Sequence, residues 1–595
     1  MPLIKPIGSV RQSQAVTTFS VGAIVDFDSG SYMPIGINRW PATVLHGAGS
    51  KVLEDRLALL LGKKFFVLPP ARQTVAGGSD AEVKSEYALP ATLFPEWHFC
   101  SHPDCNRLGT LGYPFQVNPL TGRMHCIAHG MDTTPVRFVI SCKYGHIDDF
   151  PWVEWVHGAS SACARPSLRL LTSGDSLSLA DLAVVCDGCR RSRTLEGAFK
   201  GELSAYECRG RRVWLGDSCG CNEPVAVLQR GSSSAHFQVS ASALSIPPVS
   251  DTLSQVLDEV WSVIESTGPE LHRAIIEGFA NTRGLPVEAL FSAYQRRKGL
   301  IDSHNISQQD IRNQEYAALC SDVTEANPSA GRVPHFENKT AKPTGELAKW
   351  FDLVGAVSRL REVRVLTGFT RIKPAVGLEP WKDRNMAPLS PVALDWLPAF
   401  EIRGEGVFLR FNRELLNQWN KSPEVISRAS KLQEMNVMLC ASRDQVPDKI
   451  VTPQEVVIHT FSHALIRQLA IECGYAAASI REKIYCSESL DTDADMCGLL
   501  IYTGTTDSSG SLGGLVGLAD QSRLEPIVLR ALESMRWCGS DPVCSEQAPD
   551  SMGDKVSGAS CHSCVVLPET SCEKGNRELD RMLAIGSSEL KGFFQ

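Results

Sequence analysis

The sequence predicts a multidomain α+β protein with zinc-ribbon modules in its N-terminal half, a mainly helical middle and a C-terminal α/β domain that also holds zinc. Three observations support this prediction. Fifteen of the twenty cysteines lie in two islands, ten between Cys100 and Cys221 and five between Cys538 and Cys572. Helical periodicity prevails between the islands, and a helix, an apolar strand and a second helix precede the second one. A chain of 595 residues, 43% of them hydrophobic, is expected to form roughly three to five domains.

Composition divides the chain into four consecutive regions. Residues 1–95 mix short strand-like runs with one helical pattern and form an N-terminal α/β region. Residues 96–230 are the cysteine-rich zinc-ribbon region, where metal replaces a large hydrophobic core. Residues 231–450 are the mainly helical middle, and residues 451–595 are the C-terminal zinc-binding domain.

The middle region shows helical patterns and one alternating stretch. Asp251 can cap the first helix, and the patterns over Ile311–Leu319 and Val425–Met438 predict two more. The stretch Phe400–Phe411 alternates between apolar and polar residues and predicts a hairpin that turns around Gly404 and Gly406.

The C-terminal domain opens with the clearest helix start in the chain. Thr452 is the predicted N-cap, Pro453 takes the first helical position and Glu455 follows three residues after the cap. The helix is expected to end at Gly474, because glycine favours the left-handed conformation that terminates helices. An apolar strand, a glycine-rich turn and a helix from about residue 525 to 537 follow.

The cysteine islands contain pairs at metal-ligand spacing. A gap of two residues lets both side chains of a tight turn point at one tetrahedral Zn²⁺ ion. We therefore expect about three or four structural zinc sites, at roughly four ligands for each closed site. The pairs are Cys186 and Cys189, Cys561 and Cys564, Cys126 and His129, and Cys142 and His146.

The order of the ligands suggests how they group in the N-terminal island. We expect one site from Cys100, Cys105, Cys126 and His129. We expect another from Cys186, Cys189, Cys208 and either Cys219 or Cys221. The remaining ligands are Cys142, His146 and Cys163, with His157 as a possible fourth.

Two histidines on the predicted C-terminal helix raise the question of a zinc enzyme. His459 and His463 are four residues apart and project from one helix face. A zinc protease with this spacing has a glutamate after the first histidine as general base, but this chain has Thr460 there. A polar seam across the domain is therefore the preferred interpretation, and a contact with a partner or with DNA stays open.

The glycine-rich turn is the second candidate contact. Gly513 and Gly514 follow a strand, so their backbone N–H groups can face a phosphate. A tight turn that lets strand and helix pack closely is the preferred interpretation. The sequence contains no Walker A motif, so this chain alone is not expected to hydrolyse ATP.

The densest basic patch flanks the Cys186 and Cys189 pair. Arginine on a rigid, metal-stapled hairpin is suited to contact phosphates, although such residues also solubilise small modules. The net charge of −8 and the pI of about 6.0 require any nucleic-acid contact to be local. The patch comprises Arg190, Arg191, Arg193, Arg209, Arg211 and Arg212.

The compartment is predicted to be the cytoplasm. No N-terminal stretch is apolar enough for a signal peptide, and no run approaches the roughly 18 apolar residues of a membrane helix. Cysteines in a reducing compartment stay thiols, so clustered cysteines favour Zn²⁺ over disulfides.

The C-terminal sequence order resembles the helicase-associated zinc-binding domain of MrfA-type DNA helicases. The matching signals are the His-Thr-Phe-Ser-His helix, the apolar strand, the Gly-Gly turn and the cysteines that follow. In that resemblance Cys561, Cys564 and Cys572 are the safer ligands, and either Cys538 or Cys544 completes the site.

Further motifs are similar to those of the DrmB family of the bacterial DISARM anti-phage system. They are Thr17–Asp26, Gly145–Trp152, Ala243–Pro248 and Leu366–Thr370. The resemblance implies a non-catalytic subunit that partners a DrmA-like helicase and helps to bind and sense invading DNA, single-stranded or forked. The alternatives are a zinc-dependent nuclease or hydrolase and an RNA-binding zinc scaffold.

Overall fold

The structure is a computed structural model of the chain. It describes all residues except 1, 2, 5, 47–49, 71–82, 85, 86, 119–121, 159–162, 173–177, 200–202, 204, 205, 249, 303–305, 325–331, 442–446, 448, 449, 488–495, 506–513 and 547–555. The described helices include none that is long and apolar enough to cross a membrane.

The helices concentrate in the middle of the chain and near its C-terminus. They are α1 (Thr43–His46), α2 (Asp55–Leu61), α3 (Trp152–His157), α4 (Thr252–Glu265), α5 (Pro269–Arg283), α6 (Val287–Asp302), α7 (Gln308–Leu319), α8 (Leu347–Trp350), α9 (Arg413–Asn420), α10 (Pro423–Ala441), α11 (Pro453–Cys473), α12 (Gln521–Met535) and α13 (Arg581–Ile585).

The strands of the N-terminal part are short. They are β1 (Leu3–Ile4), β2 (Val25–Phe27), β3 (Gly30–Pro34), β4 (Lys51–Val52), β5 (Phe65–Val67), β6 (Val83–Lys84), β7 (Ala91–Leu93), β8 (His98–Cys100), β9 (Arg107–Leu111), β10 (Pro114–Val117), β11 (Met124–Cys126), β12 (Thr133–Pro135), β13 (Phe138–Ser141), β14 (Ile147–Asp149), β15 (Leu168–Thr172), β16 (Leu182–Cys186), β17 (Ser192–Thr194), β18 (Arg211–Arg212), β19 (Asp217–Ser218) and β20 (Ala226–Gln229).

The later strands include the longest in the described chain. They are β21 (Phe237–Leu244), β22 (Glu337–Ala341), β23 (Phe351–Thr370), β24 (Trp396–Phe411), β25 (Ile480–Cys486) and β26 (Cys497–Thr505).

The described chain forms two compact units. The first comprises residues 1–52, 62–241 and 364–400, and the second comprises residues 53–61, 242–363 and 401–595. Each unit combines segments that are far apart in the chain. The division into four consecutive regions therefore stays a prediction. Mixed helix and sheet throughout, with several cysteine clusters, confirms the predicted α+β class.

The first unit is built from small sheets. One follows the order β11-β10-β9-β15-β16-β17 with β8 and β12 attached, another follows β19-β18-β14-β13-β20, and a third follows β2-β3-β7. One apolar cluster of this unit surrounds the buried side chains of Trp152 and Trp155. Short strands bury little apolar area, so such modules depend on other cross-links.

The second unit has its core around α11. Nearly every residue from Pro453 to Leu469 is buried, so the helix is enclosed on all sides up to its last turn. The hairpin β25–β26 packs against it, and α12 and α13 cover other faces. The predicted start and stop are confirmed: Thr452 Oγ1 accepts a hydrogen bond from Glu455 N at 3.3 Å, and Gly474 is left-handed with φ of 71°.

The helices predicted elsewhere are also present, as α4, α7, α10 and α12. The predicted hairpin over Phe400–Phe411 is wrong, because these residues belong to the single strand β24. From Arg403 to Arg410 the strand pairs continuously with β26. A Cβ atom at position 404 would lie 1.7 Å from the Thr503 carbonyl oxygen. Gly404 therefore permits a close backbone approach within a strand and does not mark a turn.

Candidate metal centres

The first cluster joins Cys100, Cys105, Cys126 and His129, the four residues that the sequence grouped. Cys100 ends β8 and Cys126 ends β11. Ligands held about 2.0–2.3 Å from a zinc ion lie roughly 3.3–3.8 Å apart along the edges of a tetrahedron. Here the Cys126 sulfur lies 3.6 Å from His129 Nδ1 and 4.0 Å from the Cys105 sulfur. The donor set therefore fits one zinc ion.

The second cluster joins Cys142, His146, Cys208 and Cys221. His146 Nδ1 lies 3.4 Å from the Cys142 sulfur and 3.6 Å from the Cys208 sulfur. Cys219 instead lies against the opposite ring nitrogen, 3.1 Å from His146 Nε2. The structure thus brings Cys221 into the cluster and places Cys219 beside it.

The third cluster joins His157, Cys163, Cys186 and Cys189. His157 ends α3, and its Nδ1 donates to the Val153 carbonyl at 2.7 Å, which directs Nε2 to the Cys189 sulfur at 3.3 Å. A backbone partner on one ring nitrogen is the usual way to orient a metal-binding histidine.

The second and third clusters differ from the groups expected from the sequence. Cys186 and Cys189 do not join Cys208, and Cys163 does not join Cys142. Each tight turn supplies two ligands, but the chain path decides which two turns meet. Spacing within a turn carries no information on that choice.

The fourth cluster lies in the second unit and joins Cys538, Cys544, Cys561 and Cys564. The Cys561 sulfur lies 3.3 Å from that of Cys538 and 3.6 Å from that of Cys564, and the sulfurs of Cys544 and Cys564 are 3.7 Å apart. Both Cys538 and Cys544 therefore take part, and these distances match the edges of a zinc tetrahedron.

One cysteine in the third cluster and one in the fourth have a lowered thiol pKa. Burial raises the pKa of Cys186, but hydrogen bonds from backbone N–H groups and from His157 bring it down to about 6. Burial likewise raises the pKa of Cys561, and Cys538 together with the N–H of Ser563 brings it down to about 6. The thiolate is the form that binds metal, so these environments favour ligation.

The fifth cluster contains His459, His463, Glu482 and Cys572, and all four are buried. The structure thus places Cys572 with the two histidines and away from the expected group of Cys561 and Cys564. Neither histidine is exposed at all, so in this fold neither reaches DNA or a partner at the surface. Glu482 was not predicted as a ligand. It lies on β25, and its position in the sequence has no ligand spacing relative to the histidines of α11.

The arginine patch is largely engaged in contacts within the first unit. Arg211 forms ion pairs with Asp148 and Glu96, Arg212 pairs with Asp217 at 2.7 Å, and Arg209 pairs with Glu154 at 2.9 Å. These acids offset much of the positive charge that a phosphate contact requires.

The arginines nearest the third cluster behave differently from one another. The Arg193 guanidinium lies 3.7 Å from the centre of the Trp155 ring. Arg191 donates to the His157 carbonyl at 2.9 Å but is exposed, and Arg190 is exposed on the same turn. Of the six, Arg190 and Arg191 are thus the best placed to meet a ligand from solvent.

The glycine-rich turn already has an anion at its backbone. The N–H groups of Gly514 and Leu515 donate to Glu405 Oε1 at 2.7 and 2.8 Å. A carboxylate of the chain therefore occupies the position that a phosphate would take. Gly513 lies outside the described residues.

All twenty cysteines fall within the described residues, and none forms a disulfide. Seventeen ligand residues were predicted from the sequence, and the clusters contain all of them except Cys219, together with His157, His459, His463 and Glu482. The fold and its donor sets define a protein of the zinc-binding class, with several separate Cys/His centres.

Comparisons with known proteins agree with this class. Residues 461–565 match the model of the MrfA Zn-binding domain, and residues 11–237 match a domain of unknown function, DUF8724. The chain is 32% identical over 526 residues to the DISARM protein DrmB of Bacillus paralicheniformis, which covers 84% of this chain and 90% of that protein. The chain belongs to the DrmB family of the DISARM anti-phage system. The resemblances to the MrfA-type zinc-binding domain and to the DrmB family are thereby confirmed. Zinc is the cofactor of this chain.

Proposed function

We propose that this chain is a non-catalytic, zinc-stapled subunit that partners a DrmA-like DNA helicase and helps it to bind and sense invading DNA. The observation that carries the proposal is the set of four-ligand Cys/His clusters in a chain of the DrmB family. A catalytic zinc site keeps one position open for water or substrate, whereas a structural site is closed by four protein ligands. The clusters are of the second kind.

The helix that carries the two histidines supports the same conclusion. Thr460 occupies the position of the general base in a zinc protease, and its side chain is fully buried. Its hydroxyl donates to the Val456 carbonyl at 2.7 Å and accepts from Asp580 N at 2.9 Å. This residue therefore serves packing, and it has no carboxylate with which to activate water.

Energy for work on DNA must then come from another chain. The sequence has no Walker A motif, which ATP-dependent helicases use to hold the phosphates. A helicase partner supplies that machinery, and this chain contributes rigid modules that position DNA contacts. The exposed turn with Arg190 and Arg191, held by the third cluster, is the contact that we assign to the DNA backbone.

The first test uses the purified chain and a DrmA-like helicase from the same defence system. We expect the two to co-elute from a sizing column, with a higher affinity for forked DNA than the helicase has alone at the same salt concentration. Separate elution and unchanged DNA affinity would contradict the proposal.

The second test addresses the alternatives with the chain alone. Labelled single-stranded and forked DNA should survive incubation with the chain and a divalent metal. Robust cleavage would favour a zinc-dependent nuclease, and tighter binding to RNA than to DNA of equal length at one salt concentration would favour an RNA-binding scaffold.

A further inference from the structure

Four buried donor atoms meet between α11, β25 and the segment around Cys572. His459 Nε2 lies 3.2 Å from the Cys572 sulfur and 3.2 Å from Glu482 Oε1. His463 Nε2 lies 3.5 Å from the same carboxylate oxygen, and all four donor atoms lie within 4.8 Å of one another. These separations are close to the roughly 3.3–3.8 Å edges of a zinc tetrahedron.

His463 is held in the form that a metal needs. Its Nδ1 lies 2.7 Å from the Val565 carbonyl oxygen, which can only accept, so the ring proton sits on Nδ1. Nε2 therefore presents a lone pair to the cluster. Within the described residues this atom is buried and has no hydrogen-bond partner. A buried acceptor without a donor is unfavourable, and a cation in the cluster would satisfy it.

Surrounding groups orient the sulfur of Cys572 and the carboxylate of Glu482. The N–H groups of Lys574 and Asn576 donate to the Cys572 sulfur at 3.3 and 3.2 Å, which fixes the position of that sulfur. Glu573 N donates to Glu482 Oε1 at 3.1 Å, and the Ser462 hydroxyl donates to Oε2. The carboxylate and the sulfur are thus fixed with their remaining lone pairs directed into the cluster.

Hydrogen bonds among the four side chains leave His463 Nε2 without a donor. His459 Nε2 is equally close to the Cys572 sulfur and to Glu482 Oε1, but one N–H bond can serve only one of them well. The proton of His463 is already used on the Val565 carbonyl. His463 Nε2 and Glu482 Oε1 therefore lie 3.5 Å apart as two acceptors that face one space, as expected around a bound cation.

We propose that His459, His463, Glu482 and Cys572 bind a zinc ion in a site separate from the one formed by Cys538, Cys544, Cys561 and Cys564. Nitrogen, oxygen and sulfur ligands together suit Zn²⁺, which accepts all three. Four protein ligands close the coordination sphere, so the site is structural. It fastens the segment after Cys572 to the central helix of the second unit. The site also extends past residues 461–565, the part that matches the MrfA Zn-binding domain, at both ends.

Zinc counting on the full chain tests this proposal. The wild-type chain, expressed with added zinc and weighed by native mass spectrometry, should carry one ion for each of the five clusters. Glu482→Gln keeps the shape of the side chain but removes the charge, and Cys572→Ser removes the thiolate, so each variant should lose one ion. The matched control is Cys440→Ser, because Cys440 is a buried cysteine outside every cluster, and this variant should keep five.

The proposal would be overturned if the wild-type chain carried four zinc ions and the Glu482→Gln and Cys572→Ser variants also carried four. If the variants do not fold, crystals of the wild-type chain decide the question without any substitution. Diffraction data collected on both sides of the zinc absorption edge should show an anomalous peak among His459, His463, Glu482 and Cys572. Peaks at the other clusters with none at these four residues would overturn the proposal equally.

Discussion

The Nε2 atom of His459 lies 3.2 Å from the sulfur of Cys572, although 113 residues separate them in the chain. This contact joins the central helix of the second unit to a segment that follows the cysteines of the fourth cluster. Two clusters of candidate metal ligands thus lie in the second unit, one made of four cysteines and the other of mixed residue types.

Replacement of Cys561 and Cys564 together by serine should remove one zinc ion and unfold the surrounding loops. A closed site cannot survive the loss of two of four ligands, and metal binding in such sites is part of the folding free energy. Hydrogen–deuterium exchange should rise in residues 538–546 and 556–572, with the three clusters of the first unit unchanged. Unchanged zinc content and exchange would show that this pair does not bind metal, and Cys440→Ser again serves as the control.

Replacement of both Arg190 and Arg191 by alanine should weaken DNA binding about equally for all sequences. Each lost phosphate contact should reduce the slope of log affinity against log salt by roughly one. The control is Arg212→Ala, because Asp217 already neutralises that guanidinium with two hydrogen bonds of 2.7 Å. A slope that is unchanged in the double variant would exclude this turn from the DNA interface.

Replacement of Arg297 by methionine should destabilise the helical part of the second unit. Its guanidinium is fully buried, pairs with Asp55 and Asp258 at 2.6 Å and lies over the Trp261 ring. Removing one partner from a buried ion pair costs about 3–5 kcal/mol, because the remaining charge stays desolvated. Hydrogen–deuterium exchange should show reduced protection of the backbone amides in α4 and α6.

The neighbouring residue provides the control for that experiment. Arg296 has a side chain that is 50% exposed and lies 3.8 Å from Asp251, so Arg296→Met should cost about 1 kcal/mol or less. If both substitutions lowered the free energy of unfolding equally, the burial of Arg297 would not be the cause of its contribution to stability.

Local signals explain which parts of the fold could be predicted from the sequence. Both ends of helix α11 were predictable because each end depends on neighbouring residues only. Thr452 and Pro453 start the helix, and Gly474 ends it. The first zinc cluster was predictable because its ligands follow one another within residues 100–129.

Long-range choices explain what could not be predicted. Cys142 and Cys208 come together while Cys163 meets Cys186, and only the chain path through the sheets decides this exchange. Glu482 gives no local signal, because an isolated glutamate on a strand is ordinarily a solvated residue. Gly404 has the local appearance of a turn, but its role depends on the approach of Thr503 from another strand.

The role of this chain as a helicase subunit can be tested by the ATPase rate of the DrmA-like helicase on forked DNA, measured with and without the chain. We predict no ATP hydrolysis by the chain alone and a faster DNA-dependent rate when it joins the helicase. The stimulation should be lost in the Cys561→Ser, Cys564→Ser double variant and kept in Cys440→Ser. An ATPase rate that is the same with and without the wild-type chain, at saturating concentrations of both proteins, would show that the chain is not a functional subunit of the helicase.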